Sequence, residues 1–303
     1  GKVCFSIWKK IRVMINSASF HRRLAQELNL DLPLKLKSVS GGDINAAYQV
    51  VDAQRRSLFL KCNSRQRYPE MFAKEARALQ FLRKTNTFRI PEVHGVLEHE
   101  GEDILVLEFI ATQSPESDFH LQFGQKLAQL HQQGQPYFGW EEDNYIGSLV
   151  QHNDAKTTWS DFYGSQKIEP LNRLAFDRGL LAAADLRASE RILVRLENWL
   201  PAESPSLLHG DLWSGNYLCD EQNRAVLIDP AIYCGHREMD LAMMRLFGGF
   251  SEAVFQAYQE QHPTEKGLNE RLPLHQWYPL LVHLNLFGAS YHASVREILQ
   301  RFS

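Results

Sequence analysis

The chain has 303 residues, 44% of them hydrophobic and 23% charged, a composition that suits a soluble globular protein and, by length, two lobes rather than one. A formal net charge of -3 leaves no general basic field for nucleic acid or an anionic membrane, and no apolar run approaches the roughly 18 residues that cross a bilayer. The four cysteines, Cys4, Cys62, Cys219 and Cys234, have neither CxxC spacing nor disulfide-framework density and read as reduced thiols of a cytoplasmic protein.

In residues 1–16 the apolar positions are interrupted by Lys9, Lys10 and Arg12, so no signal-peptide core forms. The stretch reads as an extension, with Met14 as an alternative start. From Leu36 to about Ile110 strands dominate. "LKSVSGGDINAAYQVVD" and "RRSLFLKCN" are expected strands around a short turn, with Gly41 and Gly42 in the first connection. "YPEMFAKEARALQFLRK" spaces Phe72, Ala76, Leu79 and Leu82 as one helical face, with Pro69 near its start. "HGVLEHEGEDILVLEFI" predicts a hairpin about "EGED".

The polar stretch "ATQSPESD" has linker composition. Beyond it the chain reads as helical, in "FHLQFGQKLAQLHQQ", in "RGLLAAADLRASERILVRLENWL" and from Arg237 to the end, with one β-island at Leu207–Tyr233. The expected class is α+β: a β-rich lobe over 1–110, a linker over 111–118 and a mainly helical lobe over 119–303.

Within the island, "LLHGDLWSGNYL" breaks an apolar strand with a cluster of polar residues. "NYLCD" and "AVLID" flank "EQNR", which predicts a hairpin with a four-residue loop. Pairing Asp220 with Ala225 carries the register back to Asn216 opposite Asp229, side chains on one face. An amide oxygen beside a carboxylate is a hard-oxygen site suited to Mg²⁺. Asp211, five residues before Asn216, is the remaining acid. An HxDxxxxN loop, a hairpin and a closing aspartate together have the mechanics of a kinase catalytic loop followed by its metal-binding acid.

A phosphotransferase also needs groups for its nucleotide. Lys61 lies in the apolar strand "LFLKCN", and Glu75 falls on the apolar face of the following helix, where a carboxylate needs a cationic partner. The two are expected to pair and to place the lysine on the α- and β-phosphates. Gly41-Gly42 precede that strand where a phosphate-covering loop belongs, and backbone N–H groups there approach anions readily. The strand "ILVLEFI" would offer adenine its backbone groups around Glu108, Phe109 and Ile110.

The segments "SGGDINAAYQV", "FLKCN", "FAKEARAL", "LAQLH", "NYIGS", "HGDLWSGN", "LIDPAIYCGHREMDLAM" and "LFGGF" together resemble the fructosamine kinase (ketosamine kinase) family, from about residue 20 to the C-terminus. The tryptophan after Asp-Leu separates this group from the related aminoglycoside phosphotransferases and choline kinases. The resemblance implies a two-lobe protein-kinase-like fold and ATP-dependent phosphorylation of a ketoamine sugar hydroxyl. Asp211 would be the base, Asn216 and Asp229 the Mg²⁺ ligands, and Trp213 part of the sugar site. Asp240 resembles the acid that braces the catalytic loop, and His283, in an aromatic helix, is a candidate to face the substrate. Two positions depart from the family pattern. Asp43 stands where some members carry a redox cysteine, and Gln166-Lys167 stand where an arginine is expected.

The implied partners are ketoamine small molecules or glycated proteins, with no nucleic acid and no membrane, and the chain is expected as a monomer or homodimer. Two alternatives follow from the same residues: an aminoglycoside- or choline-type kinase with the same HGDxxxxN core, or a nucleotide-binding pseudokinase. Intact Lys61, Glu75, Asp211, Asn216 and Asp229 argue against the last. His209, His236, His283 and His292 lack paired metal-ligand spacing, and there is no Walker A or GxSxG sequence.

Overall fold

Alternating apolar and polar residues in the first third of the chain become five antiparallel strands: β1 (Lys35–Ser38), β2 (Ala46–Val51), β3 (Ser57–Ser64), β4 (Val93–His99) and β5 (Glu102–Glu108), in the order β1-β2-β3-β5-β4. The computed structural model describes residues 10–39 and 45–303. Helix α1 (Ala18–Leu28) precedes the sheet and α2 (Met71–Lys84) follows β3. Leu58, Leu60 and Cys62 of β3 point into a core shared with Phe20 and Leu24 of α1. With a side-chain period of two, Phe59 and Lys61 must face the other way. That is the face on which α2 lies, because Lys61 bonds to Glu75 of that helix.

Residues 1–16 were expected to be an extension. Ile11, Met14 and Ile15 are instead each no more than 2% exposed and belong to this core, where apolar side chains at helical spacing find cover.

The chain divides into two units, one running to Ser114 and including Leu218–Ile228, the other formed by Pro115–Tyr217 and Asp229–Ser303. The β-island had been expected as one hairpin within the helical lobe. It consists of two ladders. The inner one, β9 (Tyr217–Cys219) with β10 (Ala225–Leu227), groups with the first unit; the outer one pairs β8 (Ser206–Leu208) with β11 (Tyr233–Gly235) in the second. The inner hairpin is held by the first unit's own chain. Gln113 N–H donates to the Cys219 carbonyl at 3.0 Å and Leu227 N–H to that of Arg89 at 3.1 Å. The Arg89 guanidinium bridges Asp220, at 2.6 Å, and Glu108.

The register of that hairpin is also one residue tighter than expected. Asp220 N–H donates to Arg224, not Ala225, and Asn223 N–H donates back to the Asp220 carbonyl. Asn223 has φ 57°, a left-handed conformation that asparagine tolerates, so the loop closes in three residues instead of four.

The second unit is mainly helical. In chain order come α3 (Phe119–His131), the hairpin β6 (Asn144–Ile146) and β7 (Leu149–Gln151), and α4 (Trp159–Phe162), which continues through a π-helical stretch, Tyr163–Ile168, into α5 (Glu169–Asp177). Then follow α6 (Ala183–Leu193), the outer ladder, α7 (Glu238–Phe247), α8 (Glu252–Gln261), α9 (Leu268–Phe287) and α10 (His292–Phe302). Its core is aromatic, built on Phe162, Tyr163, Tyr233 and Trp277, all at most 1% exposed. Helix α3 crosses α8 at Gly124, where an added Cβ would lie 2.1 Å from the Val254 carbonyl oxygen. Among the described residues no helix is long and apolar enough to cross a membrane.

Candidate active site

Strand β8 carries the buried Leu207 and Leu208 directly into His209-Gly210-Asp211. Gly210 has φ 83°, and a Cβ there would sit 2.0 Å from the Ala231 carbonyl oxygen, so glycine is required twice over. One carboxylate holds this turn. Asp240, in the first turn of α7, accepts the backbone N–H of His209 at 2.8 Å and of Gly210 at 3.0 Å. His131 Nε2, at the end of α3, completes the set at 3.1 Å from Asp240, and its Nδ1 meets the Tyr258 hydroxyl at 2.8 Å. Burial alone would raise the Asp240 pKa; the bond and charge of His131, with those of His209, outweigh it and hold it below the ordinary value. His131 was not singled out from the sequence. Its signal was there, since it continues the buried face of Phe123 and Leu127 by the same phase rule that marked Glu75.

Beyond the turn, Leu212 is fully buried and pins the loop. Asn216 then folds back, its Nδ2 donating to the Asp211 carbonyl at 2.8 Å and to Asp211 Oδ2 at 3.0 Å. Burial and the Asp229 charge push the Asp211 pKa up to about 7, against the Asn216 bond that lowers it and with a further rise from Asp240. Asp211, Asn216 and Asp229 are therefore brought together, but not by the expected ladder. β9 begins only at Tyr217 and β10 ends at Leu227, and the tighter register does not set Asn216 opposite Asp229. Asp229 reaches the site by leaving the strand with φ 52°. The Asp211 and Asp229 carboxylates, the second making the first costlier to ionise, with the Asn216 amide beside Asp211, offer hard-oxygen groups whose repulsion a divalent cation would relieve.

In the first unit, Lys61 Nζ lies 2.7 and 2.8 Å from the two Glu75 oxygens, with side-chain exposures of 6% and 9%. Gly41, Gly42 and Asp43 lie outside the described residues. Glu108 is still in the sheet: its N–H donates to the Glu92 carbonyl at 2.8 Å and its carboxylate holds Arg89. Its N–H is thus not available to a base, and Phe109 and Ile110, past the end of β5, are the positions that leave the ladder. The Arg89–Asp220 bridge was not foreseen, because the two residues are 131 positions apart.

Trp213 is 41% exposed, and its indole lies against the backbone of Gly215, where a Cβ would meet the ring at 2.2 Å. His283 bonds the Pro279 carbonyl through Nδ1 at 2.8 Å and packs among Phe247, Tyr291 and Phe287 at centroid distances of 4.5, 5.1 and 5.4 Å. Its contacts are those of a packed aromatic residue. Burial lowers its pKa.

A second cluster, His236, Glu238 and His275, places three ligand-type atoms within 4.8 Å of one another. It does not suit a metal. Arg271 claims both Glu238 oxygens at 2.8 and 2.5 Å, and the His236 Nδ1 lone pair accepts the Glu238 N–H at 3.3 Å. It is a buried ion pair flanked by imidazoles.

Comparison with known proteins places the chain in a family. The fructosamine kinase family model matches residues 17–303. A protein of Enterococcus faecium named a probable ketoamine kinase is 38% identical over 279 residues, which is 90% of this chain and 97% of the relative. The chloroplastic protein-ribulosamine 3-kinase of Arabidopsis thaliana is 36% identical over 277 residues, 88% of this chain and 82% of that one. A crystal structure assigned to a fructosamine-3-kinase of Haemophilus somnus matches with a TM-score of 0.84 at 28% identity, over 99% of both chains.

Proposed function

The chain belongs to the fructosamine kinase family, and on that premise we propose that it transfers the γ-phosphoryl group of ATP to a sugar hydroxyl of a ketoamine, free or carried on a protein lysine. The observation that carries the reading is the Asp211–Asn216–Asp229 arrangement on a loop braced by Asp240. Asp211 takes the proton of the attacking hydroxyl as its oxygen bonds to the γ-phosphorus. The bond to the β,γ-bridging oxygen breaks, and ADP leaves with the electron pair. A carboxylate whose pKa is about 7 is well matched to that task near neutrality.

Asn216 and Asp229 are the residues that would hold Mg²⁺, which supplies neutralisation of phosphate charge when bound. Lys61, paired with Glu75, would meet the α- and β-phosphates, and Gly41, Gly42 and the backbone at Phe109 and Ile110 would take the rest of the nucleotide. Trp213 presents an exposed aromatic face suited to the apolar side of a sugar.

A phosphate ester on the carbon next to the ketoamine carbonyl would be a leaving group. Once the ketoamine shifts to its enaminol, phosphate departs with the C–O electron pair and water hydrolyses the remaining imine. That frees the amine from a dicarbonyl sugar fragment, which would give the enzyme a role in protein deglycation. The buried thiols of Cys62, Cys219 and Cys234, none in a disulfide, suit a cytoplasmic setting, with the protein as monomer or homodimer. The test is a substrate panel of free and protein-linked fructosyl- and ribulosyl-lysine, choline and an aminoglycoside, read by ATP consumption and by the phosphorylated product. Turnover confined to ketoamines supports the reading. Turnover confined to choline or the aminoglycoside contradicts it.

A further inference from the structure

Lys167 is fully buried, and the transfer chemistry has no use for it. Its Nζ donates to the His152 carbonyl at 2.7 Å and to Asn153 Oδ1 at 2.8 Å, and lies over the rings of Tyr233, Phe162 and Tyr278 at 4.2, 4.8 and 5.7 Å. Burial drives its pKa well below the ordinary lysine value, opposed by the charge of Asp143. A methionine would fill such a pocket without the desolvation penalty of an amine. The amine must therefore be kept for its bonds.

Those bonds lead toward the catalytic turn. Asn153 Nδ2 donates to Asn144 Oδ1 at 3.0 Å, and Gln151 Nε2 donates to the same oxygen at 2.7 Å. The remaining donors of the pair reach backbone: Gln151 Nε2 to the Ala231 carbonyl at 3.0 Å and Asn144 Nδ2 to the Ile232 carbonyl at 2.8 Å. The Tyr278 hydroxyl closes the network on Gln151 Oε1 at 2.9 Å. Asn144, Gln151, Asn153 and Tyr278 are all at most 6% exposed. Ala231 is two residues past Asp229; its N–H donates to the His209 carbonyl at 2.9 Å, and its carbonyl abuts Gly210, the neighbour of Asp211. The network thus grips the one segment that touches the turn bearing the base and continues from the metal-side acid.

We propose that Lys167 is a positioning residue: through Asn153, Asn144 and Gln151 it fixes the Ala231–Ile232 carbonyls, and with them the spacing between Asp211 and Asp229 on which binding of a divalent cation depends. The proposal rests on the reading of Asn216 and Asp229 as the metal ligands. It also accounts for polar residues at both ends of the small β6–β7 hairpin, where a packing role alone would favour apolar ones.

The test measures Mn²⁺ binding, by electron paramagnetic resonance, to the protein saturated with a non-hydrolysable ATP analogue. Lys167→Met removes the amine, and Tyr278→Phe removes only the distal hydroxyl while keeping the ring, so one of the two remains usable if the other fails to fold. Ser189→Ala, which breaks the buried Asn172–Ser189 bond elsewhere in this unit, controls for general destabilisation. Both network variants should weaken Mn²⁺ by about tenfold and speed hydrogen exchange at the Ala231 amide, and Ser189→Ala should do neither. Wild-type Mn²⁺ affinity in both variants, with Asp229→Ala lacking it, overturns the role of Lys167 and leaves the metal reading standing. Wild-type Mn²⁺ affinity in Asp229→Ala overturns the metal reading and this inference with it.

Discussion

The side-chain amide of Asn216 donates to both the carbonyl and the carboxylate of Asp211, at 2.8 and 3.0 Å. The proposed metal ligand thus also orients the proposed base. With its nitrogen committed on that side, the amide oxygen is the group left for a cation. Asn216→Ala removes both functions at once. It should lower kcat/KM by about 10- to 100-fold at limiting Mg²⁺, with part of the loss recovered at high Mg²⁺. A loss that Mg²⁺ concentration does not change would leave Asn216 as an orienting residue only.

Lys61 and Glu75 form a nearly solvent-free pair. Removing one partner strands a buried charge, at a cost of about 3–5 kcal/mol. Glu75→Ala should therefore lower stability by about 3 kcal/mol and raise the KM for ATP. Lys61→Met with Glu75→Leu should recover most of the stability and none of the activity. A double variant as unstable as the single one would mean that the pair does not carry the cost of its own burial.

Burial, reinforced by the charge of His275, pushes His236 down to about 4 against the opposing effects of Glu238, Glu203 and the Pro201 carbonyl. The folded pKa is thus below the unfolded value of about 6.5, so the unfolded chain takes up the proton first. Stability from the neutral ring is complete above about pH 6.5 and is lost as pH falls toward 4, by about 3 kcal/mol in all. Denaturant titrations from pH 7 to 4 should show this fall, and His236→Asn should show a shallower one. An identical slope in the variant would contradict the assignment.

Trp213 rests on its own loop and exposes 41% of its surface, so little of the core depends on it. Trp213→Ala should raise the KM for the ketoamine by about tenfold, the equivalent of one lost aromatic–sugar contact, with kcat, the KM for ATP and the melting temperature near wild type. A variant that unfolds, or loses ATP and sugar together, would make the indole a packing residue.

Side-chain phase and local polarity made much of the site legible. A lysine in an apolar strand and a glutamate on the buried face of the next helix do meet, because both periodicities are set locally. Asp211 and Asn216 were legible for the same reason, being five residues apart in one loop. Asp229 was expected beside Asp211 from a register that the hairpin does not adopt, although its charge does act on Asp211. Whether Asn223 would turn left-handed and shorten the loop depends on one residue's conformation, and the departure of Asp229 at φ 52° depends on another. The link between Arg89 and Asp220, and the chain of bonds from Lys167 through Asn153, Asn144 and Gln151 to the Ala231 carbonyl, join residues whose proximity exists only in the folded chain. Lys167 looked like a departure from a family arginine, and its burial explains what spacing could not.

The most direct test of the central claim is single-turnover phosphorylation of ribulosyl- and fructosyl-lysine by wild type and Asp211→Asn, with the product identified by phosphorus NMR. Wild type should form a sugar phosphate ester and ADP in equal amounts. Asp211→Asn, binding ATP as tightly, should form it about two to four orders of magnitude more slowly. Near wild-type turnover in the variant, or ATP hydrolysis with no phosphorylated ketoamine, would contradict the account.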